Sequence, residues 1–357
     1  MAGLIAASVT LLTTPSKALN IELDYSYDAG TDHFFETNER AKSALEKAAA
    51  DISALINTTL APVQETYTGS DGFTSVTFDW DYLFINPTDG TQESISNPSL
   101  AANTVKIFVG VRELAGVTLA SGGPAGVQLG ISASNISPTY LQNAIDEAVV
   151  NSNNGIGRGA GPVIQNINGT TLFGGYPGSY NLDIGAGIGN LWFDVDTDNK
   201  KGKDSDSTLE SFWHFDHTTP VDAGKYDLYS VALHEMLHVV GLGTSTTWDD
   251  QISGATNWTG SHVINLYGTG NGLIESGSGH VADGTMSTRL DNGSSQTAVV
   301  VPFIGMGERR LLTELDAAFL RDLGYSTVPE SSSTILILSA TVFLFLRRNK
   351  QPVGRPI

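Results

Sequence analysis

The 357-residue chain contains no cysteine. Disulfide bonds therefore do not brace the fold, and no thiolate is present to act as a zinc ligand or as a nucleophile. The same absence excludes a pro-segment that inhibits a metal centre through a cysteine sulfur.

Basic residues are also scarce, with 19 Lys and Arg against 38 Asp and Glu and a formal net charge of −19. Nucleic-acid-binding proteins present a basic face to the phosphate backbone, so no nucleic-acid partner is expected. The acidic balance suits a solvated, secreted protein but does not select a substrate. The length is sufficient to bury a full core in one large domain or two ordinary ones.

Histidine is rare as well, with seven residues, yet His234, Glu235 and His238 form an H-E-x-x-H signature. In a helix the two histidines lie one turn apart on the same face. Two imidazoles at this spacing can bind one Zn²⁺, and Glu235 can reach a water on the metal. The alternative is a chance pair of histidines in an ordinary buried helix.

The surrounding stretch, Asp227 to Thr244, favours a helix. Its apolar residues recur at helical spacing, and Asp227 can cap the first turn. Gly241 and Gly243 allow the backbone to end the helix just after His238.

Strand and helix patterns alternate with loops, which predicts an α+β fold. We predict strands at Asn20–Tyr25, Thr74–Asn86, Thr104–Val111 and Asn190–Val195, and helices at Glu36–Thr58, Tyr140–Val150 and Arg310–Leu323. Residues Ala115 to Gly189, rich in Gly, Asn and Ser, are otherwise predicted to be loops and turns.

The zinc-helix motif resembles that of the metzincin metallopeptidases, H-E-x-x-H-x-x-G-x-x-H/D. His234, Glu235, His238 and Gly241 match it, but Thr244 stands where the third ligand usually lies. A threonine hydroxyl is a poor zinc ligand, so another residue has to complete the site.

Within the metzincins, the chain is most similar to the leishmanolysin-like group, in which the third histidine is displaced downstream and a methionine turn follows it. The segment GSGHVADGTMS contains His280 and, six residues later, Met286. The resemblance implies that His234, His238 and His280 are the zinc ligands and that Met286 supports the floor of the metal site.

Three other residues compete for the role of third ligand. His262 also lies downstream of the zinc helix, but no such methionine follows it. Glu275 or Glu314 as ligand would indicate a different group of zinc peptidases. The resemblance further implies a twisted mixed sheet, scaffold helices, the zinc helix and a smaller C-terminal subdomain, spanning residues 19–327.

Two further groups of residues could form metal sites. Oxygen ligands at alternating positions could bind Ca²⁺, although a solvated acidic loop explains them equally well: Asp194, Asp196, Asp198, Asn199, Asp204 and Asp206. His214 and His217 lie among aromatic residues, which favours a hydrogen-bonded strand, and neither is placed in the catalytic set.

Both ends of the chain carry targeting signals. Residues 1–18 read as a signal peptide that is cleaved after Ala18. At the other end, 328–357, Val328-Pro329-Glu330 precedes a serine-rich spacer, an apolar run and a basic cluster. The apolar run, Ile335 to Leu346, is shorter than the roughly 20 residues of a full membrane span.

This order resembles the PEP-CTERM sorting tail of bacterial exported proteins, which an exosortase processes. It implies export across the inner membrane to the cell surface or medium, with signal peptidase and an exosortase-like enzyme as partners and transient membrane anchoring through the tail alone. We expect the tail to be dispensable for folding, so that a chain ending after Tyr325 remains soluble and active.

Together these features predict an exported zinc-dependent endopeptidase that acts on protein or peptide substrates, with Glu235 as general base. The alternative is a non-catalytic surface or matrix protein that uses the same scaffold for binding. An enzyme that cleaves a non-peptide amide or ester is a third reading, because the zinc chemistry is shared.

Overall fold

A computed structural model describes residues 19–200 and 202–328 of the chain. The predicted signal peptide and, apart from Val328, the predicted sorting tail lie outside these residues. Within the described ranges, no helix has both the length and the apolar character needed to cross a membrane.

The described residues contain sixteen strands, several of them only two or three residues long. They are β1 Asn20–Asp24, β2 Tyr67–Asp71, β3 Thr74–Ile85, β4 Gln92–Ser96, β5 Thr104–Arg112, β6 Ala120–Pro124, β7 Gly126–Ser134, β8 Val163–Phe173, β9 Tyr176–Gly185, β10 Ile188–Asp194, β11 Trp213–His214, β12 Tyr226–Asp227, β13 Ile252–Ser253, β14 Asn257–Trp258, β15 Met286–Thr288 and β16 Ser295–Thr297.

Nine helices accompany them in the same part of the chain. They are α1 Ser26–Ala29, α2 Phe34–Thr37, α3 Glu39–Leu55, α4 Leu141–Gly155, α5 Asp206–Phe212, α6 Leu228–Val239, α7 Thr246–Asp250, α8 Ser261–Tyr267 and α9 Glu314–Asp322. The α+β class and most of the predicted elements are confirmed.

A mixed four-stranded sheet in the order β1-β5-β10-β6 is the centre of the fold. The strands β1, β5 and β10 are parallel, and β6 pairs antiparallel with β10 at the edge. All seven residues of β10 are buried, as expected for a strand that is covered on both faces.

Two helices, α3 and α6, pack together beside this sheet and share its core. The helix α3 forms because apolar residues recur along one face, from Ala41 to Leu55, and because the Asn38 side chain accepts the backbone N–H of Ala41. These are the scaffold helix and the zinc helix that the sequence predicts.

A second core lies under a sheet formed by β2, β3, β4 and β7, against which α4 packs. Alternate residues of β3 are buried along all twelve positions, which gives this sheet one covered and one more open face. Phe84 of β3 stacks on Phe108 of the central sheet with ring centroids 4.5 Å apart.

The prediction of loops for residues 115–189 is wrong, because β6, β7, β8 and β9 lie there in addition to the predicted helix. Glycine and asparagine have low strand propensity, but pairing with a neighbouring strand outweighs it. The strand β7 pairs with β3 over nine residues, and β8 pairs with β9 in a long hairpin.

Residues after α6 bury their side chains in the same core as the central sheet. Trp248, Trp258 and Phe319 pack against one another there, with ring centroids 4.6–5.2 Å apart. A separate core for a C-terminal subdomain is not observed among the described residues.

The last helix is shorter than predicted, since α9 begins at Glu314 and not at Arg310. A capping box fixes its start: the Thr313 hydroxyl accepts the backbone N–H of Asp316, and the Asp316 carboxylate accepts that of Thr313. Residues 310–312 therefore lie before the helix and belong to no helix or strand.

The compact body of the protein extends to Thr327, two residues beyond the truncation point at Tyr325 considered above. Ser326 exchanges hydrogen bonds with the Thr58 side chain and accepts the backbone N–H of Asn57. Thr327 forms a β-bridge with Ile56 and accepts a hydrogen bond from Arg321.

We therefore predict that a chain ending after Thr327 keeps its free energy of unfolding, whereas one ending after Tyr325 loses about 1–3 kcal/mol with the Ser326 and Thr327 hydrogen bonds. Urea unfolding of the two truncated chains and of the mature chain measures the difference. Equal stability of the two truncated chains would show that these contacts contribute nothing.

Candidate metal centre

The helix α6 positions two of the three predicted ligands. Asp227 caps it by accepting the backbone N–H of Ser230, and Gly241, with φ of 106°, turns the chain away just after its last turn. His234 and His238 therefore lie one turn apart on the side of the helix that faces the cleft.

His280 joins this pair from a loop far along the sequence. The Nε2 atoms of His234 and His238 lie 3.0 Å apart, and each lies 3.2 Å from the Nε2 atom of His280. The three predicted ligands are thus brought together, and within the described residues this is one of two groups whose ligand atoms could share a metal ion.

Two of these imidazoles are held by backbone carbonyls on their other side. His234 Nδ1 donates to the carbonyl of Val299 at 2.8 Å, and His238 Nδ1 donates to that of Leu242 at 2.7 Å. A neutral imidazole that donates from Nδ1 has only a lone pair at Nε2. The Nε2–Nε2 contact of these two residues is therefore not a hydrogen bond, and it is repulsive unless a cation lies between them.

The spacing of the three nitrogens fits such a cation. A tetrahedral Zn²⁺ with bonds of about 2.0–2.1 Å to nitrogen separates its ligand atoms by roughly 3.3 Å. Carbonyl acceptors behind the ligands are also typical of metal-binding histidines, because they fix the tautomer and the ring plane. His280 differs in this respect, since its buried Nδ1 has no acceptor among the described residues.

The protonation state of the histidines is the one that metal binding requires. Burial, with the neighbouring His238, holds the pKa of His234 well below its usual range. Burial likewise lowers the pKa of His238 to about 4, and it lowers the pKa of His280. All three rings are therefore neutral near pH 7, with lone pairs available to a metal.

Glu235 is buried on the same helix and lines the cleft beside the histidines. Burial raises the pKa of its carboxyl to about 8, and a hydrogen bond from the backbone N–H of Gly122 opposes this shift. A positive charge close to the carboxyl would lower the pKa again. Gly122 can lie this close to Glu235 because it has no Cβ atom. A Cβ atom there would lie only 2.9 Å from the backbone oxygen of Glu235.

A backbone crossing of two glycines explains why His280, and not Thr244, reaches the histidines. A Cβ atom on Gly243 would overlap the carbonyl of Gly279, and one on Gly279 would overlap the carbonyl of Gly243. The two segments can therefore meet only without side chains, and the meeting delivers His280 into the site. The Thr244 hydroxyl donates instead to the carbonyl of His238.

The competing third ligands lie elsewhere. His262 belongs to α8, where its Nδ1 lies 3.0 Å from the Asp322 carboxylate. Glu275 accepts a hydrogen bond from Ser278, and Glu314 opens α9.

The expected methionine turn is not found at Met286. This residue begins β15 and is 47% exposed, and its sulfur accepts from the Thr297 hydroxyl. Buried residues Val299–Val301 instead lie beside the histidines and supply the carbonyl that holds His234. In the sequence this segment is an apolar, β-branched run that follows a polar turn. Its spacing from the H-E-x-x-H signature does not indicate that it lies beside the histidines.

The histidines open into a cavity of about 500 Å³. Its lining includes the edge strand β6 with the segment before it, and residues 299 and 301–304. Val117 and Phe303 form an exposed apolar rim, 90% and 63% accessible, respectively. No motif or spacing in the sequence places either residue at the site.

The second group of possible ligands is acidic. Oxygen atoms of Asp196, Asp198 and Asp204 lie within 4.8 Å of one another. All three already have partners, because Asp196 accepts the backbone N–H of Lys200, Asp198 pairs with the Lys200 side chain, and Asp204 accepts from the backbone and hydroxyl of Thr197. The calcium site stays a prediction.

The remaining members of the acidic stretch and the two other histidines have structural contacts. The Asp194 carboxylate accepts the backbone N–H of Leu114, Asn199 accepts that of Gly116, and Asp206 begins α5. His214 is buried in β11 next to the Asp216 carbonyl, and His217 stacks on Tyr229.

Comparisons with protein-family models, with curated proteins and with solved structures gave no match. The function is therefore inferred from the geometry of the metal centre and its cavity.

We predict that His280→Ala loses most of the bound zinc, because only two imidazoles then remain at the site. Thr244→Val and His262→Ala should keep their zinc, since neither side chain belongs to the group of three. Zinc content per purified chain, measured by atomic emission, distinguishes the variants. A zinc-replete His280→Ala protein would overturn the ligand assignment.

The glycine crossing gives a prediction that leaves every ligand in place. In Gly279→Ala the new Cβ would collide with the Gly243 carbonyl and displace the chain that carries His280. We expect zinc affinity to fall roughly 10–100-fold, the size of effect seen when the support of a metal ligand is removed. Gly277→Ala, where a Cβ would meet open space, is the neighbouring control, although its φ of 71° costs some stability. Zinc titration with a competing chelator measures both, and equal affinities would remove the crossing from the site.

Proposed function

We propose that the protein is a zinc-dependent endopeptidase of the metzincin type, with His234, His238 and His280 as ligands and Glu235 as general base. The observation that carries the proposal is the convergence of three Nε2 atoms within 3.2 Å beside a buried carboxyl group. Three protein ligands leave one position of a tetrahedral ion open, as in catalytic and unlike structural zinc sites.

When bound, Zn²⁺ supplies a Lewis acid that polarises a carbonyl oxygen and lowers the pKa of water to about 7. The three imidazoles hold it through Nε2, and the carbonyls of Val299 and Leu242 keep two of the rings in the required tautomer. The chain itself supplies the groups that move the proton.

Glu235 performs the proton transfer. Its carboxylate accepts a proton from the water that attacks the scissile carbonyl carbon, and it then donates that proton to the departing amine nitrogen. The backbone N–H of Gly122 orients the carboxyl group and favours its charged form. Burial of Glu235 keeps bulk water away from the site of transfer.

The edge strand β6 supports a peptide as substrate. It pairs with β10 on one side only, so its other edge is unpaired within the described sheet and borders the cavity. An extended peptide can add to such an edge through main-chain hydrogen bonds. A simple ester or small amide would make no use of this edge.

The non-catalytic reading leaves Glu235 unexplained. A protein that only binds a partner through this scaffold has no need for a carboxyl group buried beside three histidines, because burial of an ionisable group is costly. We further propose, from the terminal sequences, that the enzyme acts outside the cytoplasm after export and that an exosortase-like enzyme processes the tail.

We predict that Glu235→Gln binds zinc with unchanged stoichiometry and lowers the turnover of a protein substrate by roughly 10²–10⁴-fold, the usual contribution of general base catalysis. Glutamine has the same shape but cannot accept the proton. Release of amines from a denatured protein substrate and zinc content are measured on the same preparations.

Glu46→Gln, on the exposed side of α3, is the matched control and should equal the wild type in both measurements. Near-normal turnover of Glu235→Gln would contradict the mechanism. A wild-type protein that binds zinc but cleaves no peptide would favour the non-catalytic reading.

A further inference from the structure

The cavity beside the histidines contains a buried arginine that the proposed mechanism does not use. Arg310 lines the cavity together with Ser230, one turn before His234 on α6. The backbone N–H of Arg310 donates to the Ser230 hydroxyl at 2.7 Å, which ties this part of the chain to the zinc helix. Only 7% of the Arg310 side chain is exposed.

One edge of the guanidinium is occupied and the other is not. Nε and Nη2 donate to the two carboxylate oxygens of Glu308 at 2.8 and 3.2 Å. Nη1 has no acceptor among the residues that the structure describes, and it is not sealed from the cavity surface. Since Glu308 also accepts the backbone N–H of Gly305, the pair is rigid and the guanidinium plane is fixed.

The neighbouring Arg309 shows how a purely structural arginine is bonded in this fold. All three of its side-chain nitrogens have acceptors: both carboxylate oxygens of Asp227 and the carbonyls of Asp216, His217 and Thr219. Arg310 is more deeply buried than Arg309, yet it leaves one nitrogen without an acceptor. Because this nitrogen reaches the cavity surface from an otherwise buried guanidinium, it is available to an acceptor on a ligand.

The charges that line the cavity favour a ligand that is anionic. Glu235 is the one carboxylate among the lining residues, and Arg310 is the one lysine or arginine. A second carboxylate can bind the open Nη1–Nη2 edge of a guanidinium while the first occupies the Nε–Nη2 edge.

We propose that Arg310 binds the carboxylate side chain of an aspartate or glutamate that adjoins the scissile bond of a peptide substrate. This inference rests on the proposed peptidase function and deepens it by naming the substrate class. Arg310 is thus a specificity-determining residue, and substrates with a lysine or arginine at the same position are rejected.

The test uses two peptides that differ only in an aspartate or an asparagine next to the cleaved bond, a change of charge at constant shape. For the wild type, kcat/KM for the aspartate peptide should exceed that for the asparagine peptide roughly tenfold, as a charge-assisted hydrogen bond gives. The ratio should fall to about one in Arg310→Gln and be partly restored in Arg310→Lys.

Two variants separate specificity from folding. Glu308→Gln leaves the Arg310 charge uncompensated and should keep or increase the aspartate preference. Arg40→Gln removes an exposed arginine that pairs with Glu210 away from the cavity, and should leave the ratio unchanged. Equal cleavage of both peptides by the wild type, or an unchanged ratio in Arg310→Gln, overturns the proposal.

A binding measurement keeps this test independent of catalysis. In the Glu235→Gln background, the dissociation constant of the aspartate peptide should be roughly tenfold lower than that of the asparagine peptide, and Arg310→Gln should abolish the difference. If no peptide is cleaved but this preference is found, the peptidase function fails and the role of Arg310 stands. If both peptides are cleaved but neither binding nor turnover shows a preference, the peptidase function stands and the role of Arg310 fails.

Discussion

The constraint on which the centre of this protein depends is the approach of three neutral imidazole nitrogens to within 3.2 Å of one another. Lone pairs of His234 and His238 face each other, because their Nδ1 atoms already donate to carbonyls. A cation relieves this repulsion, and the same geometry leaves a fourth position open. The carbonyl of Val299 links the centre to α9, since the Val299 backbone N–H donates to the buried Asp316 carboxylate.

The fold supplies this geometry through close backbone packing. The zinc helix α6 rests against the edge strand β6 at Gly122, and the loop that carries His280 crosses the end of the helix where Gly243 meets Gly279. At both places a side chain would occupy the space that the neighbouring backbone uses. The cavity beside the histidines is lined by β6 and by the segment with Val299.

Local patterns predicted much of the scaffold. In Thr74–Ile85 the alternation of residues, and in α3 the helical spacing of apolar residues, indicate which side chains are buried without reference to the rest of the chain. Both elements lie where expected. The composition of the glycine-rich middle does not predict its strands, because pairing stabilises them: β7 pairs with the distant β3, and β8 pairs with the neighbouring β9, whose sequence is weakly patterned. The start of α9 was placed too early, since apolar spacing continues through Leu311 and Leu312 while the capping box at Thr313 sets the actual boundary.

The sequence by itself determined the pair His234 and His238 and the neighbouring Glu235, because one turn of helix fixes their relation without help from the rest of the chain. A resemblance selected His280, yet the methionine expected to support it lies at the surface. Only the tertiary structure decided which backbone meets Gly243, which carbonyl holds His234 and where the Arg310 guanidinium lies. These relations join segments separated by tens of residues, and their cause is packing in three dimensions, which spacing along a chain does not encode.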